Sequence, residues 1–254
     1  MKKKMILVIG LVFLLASCAA AAVGDTNVGQ FGLKIDQGGA AGFQGQGPDG
    51  NIHQDTLDSL FDTDLTEAEI EGILFMYEEE KLARDVYLAL AERWGMNIFS
   101  NIAVSENTHI NSVLTLIEIS NLEDPVGDSP QGAFVNQELQ TLYNDLEDRG
   151  NLSLEAALLV GGAIEEIDIL DLKTYLAETD NSAVTAVYQN LLMGSVNHLQ
   201  AFVRSFERQT GESYQLQFLS QEAYDELMAS SMERGVGGGR GMNAGSQGRG
   251  QLPG

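Results

Sequence analysis

Four charged stretches fall on the apolar faces of long helical patterns, and they limit what this chain can become. They are Glu80-Lys81-Leu82-Ala83-Arg84, Glu106-Asn107-Thr108-His109, Glu165-Glu166-Ile167-Asp168 and Ser195-Val196-Asn197-His198. A Glu and a His three residues apart on a helix lie on one face, one turn apart. Glu106 and His109 have that spacing inside the apolar stripe of Phe99, Ile102, Ala103, Ile110, Val113, Leu116 and Ile117. A carboxylate on a buried face is costly unless it is paired or bound to a metal. The fold must therefore bring these groups together around something that neutralises them.

The flanking sequence places each stretch on its own long helix. The first helix is expected to start at the capping box Thr66-Glu67-Ala68-Glu69 and to stop at Gly95. Its stripe is Ile73, Met76, Tyr77, Ala83, Tyr87 and Leu90, with Tyr77 and Tyr87 read as core aromatics. The second spans about Asn97 to Asn121. The third spans about Leu154 to Glu178 behind Ser153 as N-cap, with Gly161-Gly162 allowing close helix approach. The fourth spans about Ala183 to Gln209 and ends at Gly211, with Leu191, Gly194, Ala201, Phe202 and Phe206 beside His198. Short helices are expected at about Gln137 to Arg149 and Gln221 to Ala229. Two short links and one long one, broken by Pro125, Gly127, Pro130 and Gly132, imply an all-α four-helix bundle with a long crossover and short accessory helices.

On that arrangement Glu80, Glu106, Glu165 and Asp168 face inward, and no inward-facing Lys is expected to neutralise them. Arg84, one turn after Glu80, is the one basic group in reach of an acid. Two divalent cations would balance four carboxylates, with His109 and His198 as neutral imidazole ligands. Carboxylate and imidazole without thiolate suit iron or manganese, with zinc also open. A structural polar core is the competing reading. In it Glu80 and Arg84 form an i,i+4 pair and the imidazoles are satisfied core groups. Glu79 and Glu166 read as solvated, and a modest helix rotation would exchange them with Glu80 and Glu165.

The N-terminus carries a different message. Lys2-Lys3-Lys4 precede an apolar run from Met5 to Leu15, as in a signal peptide and too short for a membrane span. Leu15-Ala16-Ser17-Cys18 resembles the lipobox of bacterial lipoproteins, which implies cleavage after residue 17 and a lipid on Cys18. An ordinary secretory signal with a stray Cys is the alternative. Cys18 is the only cysteine, so no disulfide can form within the chain. The domains expected are a signal at 1–17, a lipidated Cys and flexible tether at 18–56, a helical domain at 57–230 and a disordered Gly-rich tail at 231–254. His53 falls in the tether. The formal charge is −23, and more negative once the three N-terminal lysines leave. Such a chain repels nucleic acid and concentrates cations.

The inward motifs resemble those of known proteins. Glu80-x-x-Ala83-Arg84-x-x-Tyr87, Glu106-x-x-His109 and Glu165-x-x-Asp168 are similar to helix motifs of rubrerythrin and related ferritin-like proteins. The resemblance implies a di-iron or similar dinuclear site. In it Glu80 and Glu165 would be terminal or bridging ligands, Glu106 would bridge, and His109 and His198 would each cap one metal. The stretch from about Thr66 to Gln209 is more similar still to an uncharacterised ferritin-like family catalogued only as a domain of unknown function. Glu78 to Tyr87 and Asn197-His198-Leu199-Gln200-Ala201-Phe202 carry that likeness. The chain departs from the ferritin-like pattern at Ser195, where Glu is usual, and Asp168 is the candidate replacement. It also lacks a rubredoxin-like Cys pair. The functions implied are a lipid-anchored di-iron oxidoreductase or peroxidase-like protein, an envelope metal-capture protein without turnover, or a structural lipoprotein with no metal. The partners expected are metal ions, a membrane reached through the anchor from its extracytoplasmic side, and a second copy of the chain. Nucleic acid is not among them, and the redox partner is unspecified.

Overall fold

The computed structural model describes residues 54–60 and 64–236. Among these there are seven helices and no strand. They are α1 (Gln54–Leu60), α2 (Glu67–Trp94), α3 (Asn97–Ile119), α4 (Gln137–Gly150), α5 (Leu154–Glu178), α6 (Ser182–Thr210) and α7 (Gln221–Val236). The signal segment, Cys18, most of the tether, His53 and the end of the Gly-rich tail lie outside the described residues.

Local chemistry sets most of the helix boundaries. Thr66 Oγ1 accepts from Glu69 N at 3.2 Å, and Thr66 N donates back to Glu69 Oε2 at 2.8 Å, which closes the capping box. Gly95 ends α2 with φ 65°, a left-handed conformation natural to glycine. Ser153 caps α5 through Ala156 N at 3.0 Å. Asn181 caps α6 through Ala183 N and Val184 N, so α6 starts one residue before the Ala183 expected. α7 runs seven residues past the Ala229 expected, and α1 begins inside the stretch expected as tether. Leu57 of α1 is fully buried, and α1 packs on α3 and α6.

The four long helices pack as two pairs, α2 with α3 and α5 with α6. Each pair turns through a short link, Gly95-Met96 or Thr179–Asn181, which makes its helices antiparallel neighbours. The pairs then meet through α2 with α5 and α3 with α6. Ile73, Met76, Val86, Tyr87, Phe99, Val113, Leu116, Leu158, Leu172, Leu191 and Phe202 fill the space between. Two glycines allow that closeness: a Cβ on Gly161 would collide with the Phe202 ring, and one on Gly162 with Tyr214. No described helix is long and apolar enough to cross a membrane.

The crossover from 120 to 153 is fastened to α2 by charges that the sequence reading treated differently. Lys81 is buried, contrary to the expectation that no Lys faces inward. Its Nζ donates to Asp85 Oδ2 at 2.5 Å, Pro130 O at 3.0 Å and Ala133 O at 3.2 Å. Asp85 also accepts from Gly132 N, and Glu78 accepts from Val135 N and Asn136 N. Arg84 pairs with Asp85 at 2.8 Å rather than with Glu80, so the i,i+4 pair of the structural reading does not form. These contacts satisfy backbone groups of the loop that its packing on α2 partly shields from water.

Candidate metal centre

All four long helices contribute to one buried cluster. α2 brings Glu80, α3 brings Glu106 and His109, α5 brings Glu165, and α6 brings His198. Glu80, Glu106 and Glu165 are each 2% exposed, His109 is 5% and His198 is 8%. The centre has two halves that share Glu106. In the first, His109 Nδ1 lies 2.8 Å from Glu106 Oε2 and 3.2 Å from Glu80 Oε2. In the second, His198 Nδ1 lies 2.9 Å from Glu106 Oε1 and 3.6 Å from Glu165 Oε2. Each oxygen of Glu106 thus meets one imidazole. The two rings stack with centroids 5.4 Å apart.

The donor atoms fit a cation better than they fit one another. His198 Nδ1 and Glu106 Oε1 form an ion pair at 2.9 Å, yet each is buried without a hydrogen-bond partner. Two ligands about 2.1 Å from one ion and at right angles are about 3 Å apart, which is this separation. Glu80 Oε1 and Asp168 Oδ1 are likewise buried without a partner. Such atoms are rare in folded proteins, and a bound ion is one of their few explanations.

Electrostatics describe how the cation-free centre copes. Burial drives the Glu80 carboxyl up to about 7, although His109 pulls it back. Burial and the Glu106 charge likewise raise Glu165 to about 7. Burial alone would raise Glu106 too, but the two flanking imidazoles outweigh it and hold the group below the usual carboxylate range. Burial by itself lowers His198, and Glu106 and Glu165 reverse this and lift it to about 10. His109 is raised in the same way by Glu80 and Glu106. Imidazoles raised in this way offset the buried carboxylates, and a cation held there would have to displace their protons.

Neighbouring groups fix these side chains. Tyr87 Oη donates to Glu165 Oε1 at 2.6 Å. Ser105 Oγ sits 2.9 Å from His198 Nε2, which leaves Nδ1 turned to the centre. A Cβ on Gly194 would overlap the His109 ring at Nε2 and Cε1, so this glycine makes room for the imidazole. Of these, Ser105 escaped the sequence reading. Its position directly before Glu106, four residues from His109, was the available signal.

Five of the six candidate ligands thus converge, and Asp168 stands beside them. Its Oδ2 accepts a short hydrogen bond from Ser195 Oγ, which ties the acid of α5 to α6. Burial and the nearby Glu80 charge raise its carboxyl well above the ordinary range. Glu79 and Glu166, read as solvated, are 5% and 0% exposed. Glu166 faces away from the centre and accepts from Tyr214 Oη and from the backbone N–H groups of Gln217, Phe218 and Leu219 at 2.6–2.9 Å. It anchors the segment after α6.

Residues 69–231 match the family described as an uncharacterized protein domain, DUF2202, and the chain belongs to that family. All six candidate ligands fall within the match. The chain is 45% identical over 180 residues to the uncharacterized protein MJ0754 of Methanocaldococcus jannaschii, covering 71% of this chain and 97% of the relative. The crystal structure of that hypothetical protein aligns with a TM-score of 0.64, over 67% of this chain and 97% of its own.

Proposed function

We propose that this protein is a ferritin-like four-helix bundle that binds two divalent cations at its centre, iron foremost, with manganese or zinc as alternatives. The observation that carries the reading is Glu106, whose two oxygens each face a different buried imidazole. Glu80 and His109 would complete the ligands of one ion, and Glu165 and His198 those of the other. Asp168 would add charge, directly or through a bridging water. An iron pair supplies redox and Lewis-acid chemistry, the basis for an oxidoreductase or peroxidase-like activity. The chain's own part is to hold the ligands and exclude water: Tyr87 orients Glu165, Ser105 orients His198, and apolar side chains close the surroundings. A lipid on Cys18 would tether the domain at the extracytoplasmic face of a membrane.

The formal charge of −23, which concentrates cations, favours one second reading, cation capture without turnover. Metal analysis with an absorption spectrum tests the site. Wild type should hold about two ions per chain, the balance four carboxylates imply, and Glu106→Ala and His109→Ala should hold fewer. His53→Ala should match wild type. Equal content in all four proteins would move the metal elsewhere. Oxygen or peroxide consumption by the iron-loaded form separates turnover from capture. Cys18→Ser should leave the membrane fraction, and retention there with normal processing would remove the anchor.

A further inference from the structure

A narrow pocket opens where α2 begins and α5 turns into α6. Glu69 and Gly72 of α2, Tyr175 and Glu178 of α5 and Tyr188 of α6 line it. Gly72 stands eight residues before Glu80, about 12 Å along α2, so the pocket is separate from the metal centre and does not rest on that reading. Tyr188 is 1% exposed, and its Oη is buried without a hydrogen-bond partner, as is Tyr175 Oη. Buried hydroxyls are normally paired, so two orphans lining one pocket point to a bound group. A Cβ on Gly72 would lie 2.8 Å from Tyr175 Cδ1 and 3.4 Å from Tyr188 Oη. The glycine therefore keeps space in front of both tyrosines, and that space takes one water-sized group.

The charge around the pocket decides what that group is. Burial alone would raise the Glu69 carboxyl, but hydrogen bonds from Thr179 and Thr66 hold it below its ordinary value, so it is ionised at neutral pH. Its Oε1 accepts from Thr179 Oγ1 at 2.6 Å and its Oε2 from Thr66 N at 2.8 Å, and a carboxylate has further lone pairs to offer. Glu178 adds an exposed carboxylate at the rim. Residues 64–80 and 174–203 contain no Lys or Arg, so the segments that build the pocket supply no cation of their own. A water-sized group that brings both positive charge and several donors is an ammonium head, with three N–H bonds for the carboxylate and the two phenol oxygens. Paired in this way, its charge can be buried.

We propose that this pocket binds the ammonium head of a small primary amine, held by Glu69 and the hydroxyls of Tyr175 and Tyr188, with the alkyl chain leaving past Glu178. n-Butylammonium is the probe and n-butanol its uncharged match, titrated by saturation-transfer NMR at neutral pH in about 0.15 M salt, which screens exposed charges. Wild type should bind butylammonium and not butanol. Tyr188→Phe keeps the ring, removes the hydroxyl and should weaken binding about 10-fold, the effect of losing one hydrogen bond to a charged group. Gly72→Ala, whose Cβ fills the space, should abolish binding. His109→Ala should bind butylammonium as wild type does, whatever becomes of metal at the centre. Equal binding by wild type and Tyr188→Phe would be the acidic surface at work and would overturn the site. No binding by wild type, or equal binding of butanol, would overturn it too. Thermal melts check that both pocket variants fold, and Tyr188→Phe carries the test if Gly72→Ala does not.

Discussion

Gly194→Ala adds one methyl group at the point where α6 meets the His109 ring. Its Cβ would sit 2.5 Å from His109 Cε1 and closer still to Nε2, so the ring must move. Overpacking of this sort costs about 1–3 kcal/mol, while replacing a mid-helix glycine by alanine returns about 1 kcal/mol. The cation-free protein should therefore lose only about 0–2 kcal/mol. The centre should suffer more, because Nδ1 on the displaced ring leaves both Glu80 and Glu106. Displaced ligands of this kind weaken metal binding about 10- to 100-fold. Gly150→Ala is the control. Its Cβ would press on Leu90 Cδ2 at 2.6 Å, in apolar surroundings away from the ligands, so it should change stability alone. Urea melts of the cation-free proteins and competitive metal titration measure the two effects separately. Undiminished affinity in Gly194→Ala, with its stability loss equal to that of Gly150→Ala, would refute the claim that Gly194 exists to seat His109.

Three further outcomes are expected. Glu166→Ala should cost about 3 kcal/mol, because it strips a buried acceptor from several backbone donors; chemical denaturation measures it, with metal content unchanged. The cation-free protein should melt at progressively lower temperature as pH rises from about 5 to about 10. Glu80 and Glu165, raised to about 7, lose their contribution between about 4.5 and 7, and His198, raised to about 10, loses its own above about 6.5. Saturating divalent cation should oppose that slope, since binding needs neutral imidazoles, and calorimetry across the window would show it. Asp168→Ala should lower metal stoichiometry from two towards one with the fold retained by circular dichroism, and Ser195→Glu should partly restore it; two tightly held ions in Asp168→Ala would rule out its role.

The helices were legible because their signals are local. Thr66 with Glu69, Ser153, Gly95 and Gly211 each act within a turn of the boundary they set. The convergence of Glu80, Glu106, His109, Glu165 and His198 was legible for a related reason, since each interrupts an apolar stripe at a compatible helical depth. The burial of Lys81, Glu79 and Glu166 was not. α2 is enclosed by α3, α4 and α5 at once, and residues 75–83 are buried on every side, so no polar face remains to mark them. Glu166 is covered by Gln217–Leu219, fifty residues later in the chain, a partnership that no periodicity records. Asp168 and Ser195 fall between these cases. Their exchange of roles was readable as a missing charge, but their direct contact required the packing of α5 on α6.

The two halves of the centre differ in what they demand of the chain. Glu80, Glu106 and His109 all belong to the α2–α3 hairpin, so that half is complete once Ile119 has been made. Glu165 and His198 belong to the second hairpin and need Glu106 from the first. During synthesis a nascent chain would therefore carry every residue of one triad before any residue of α5 exists. The other triad forms only when the hairpins dock, which makes it a reporter of assembly, and any ion it holds fastens the earlier half of the protein to the later one.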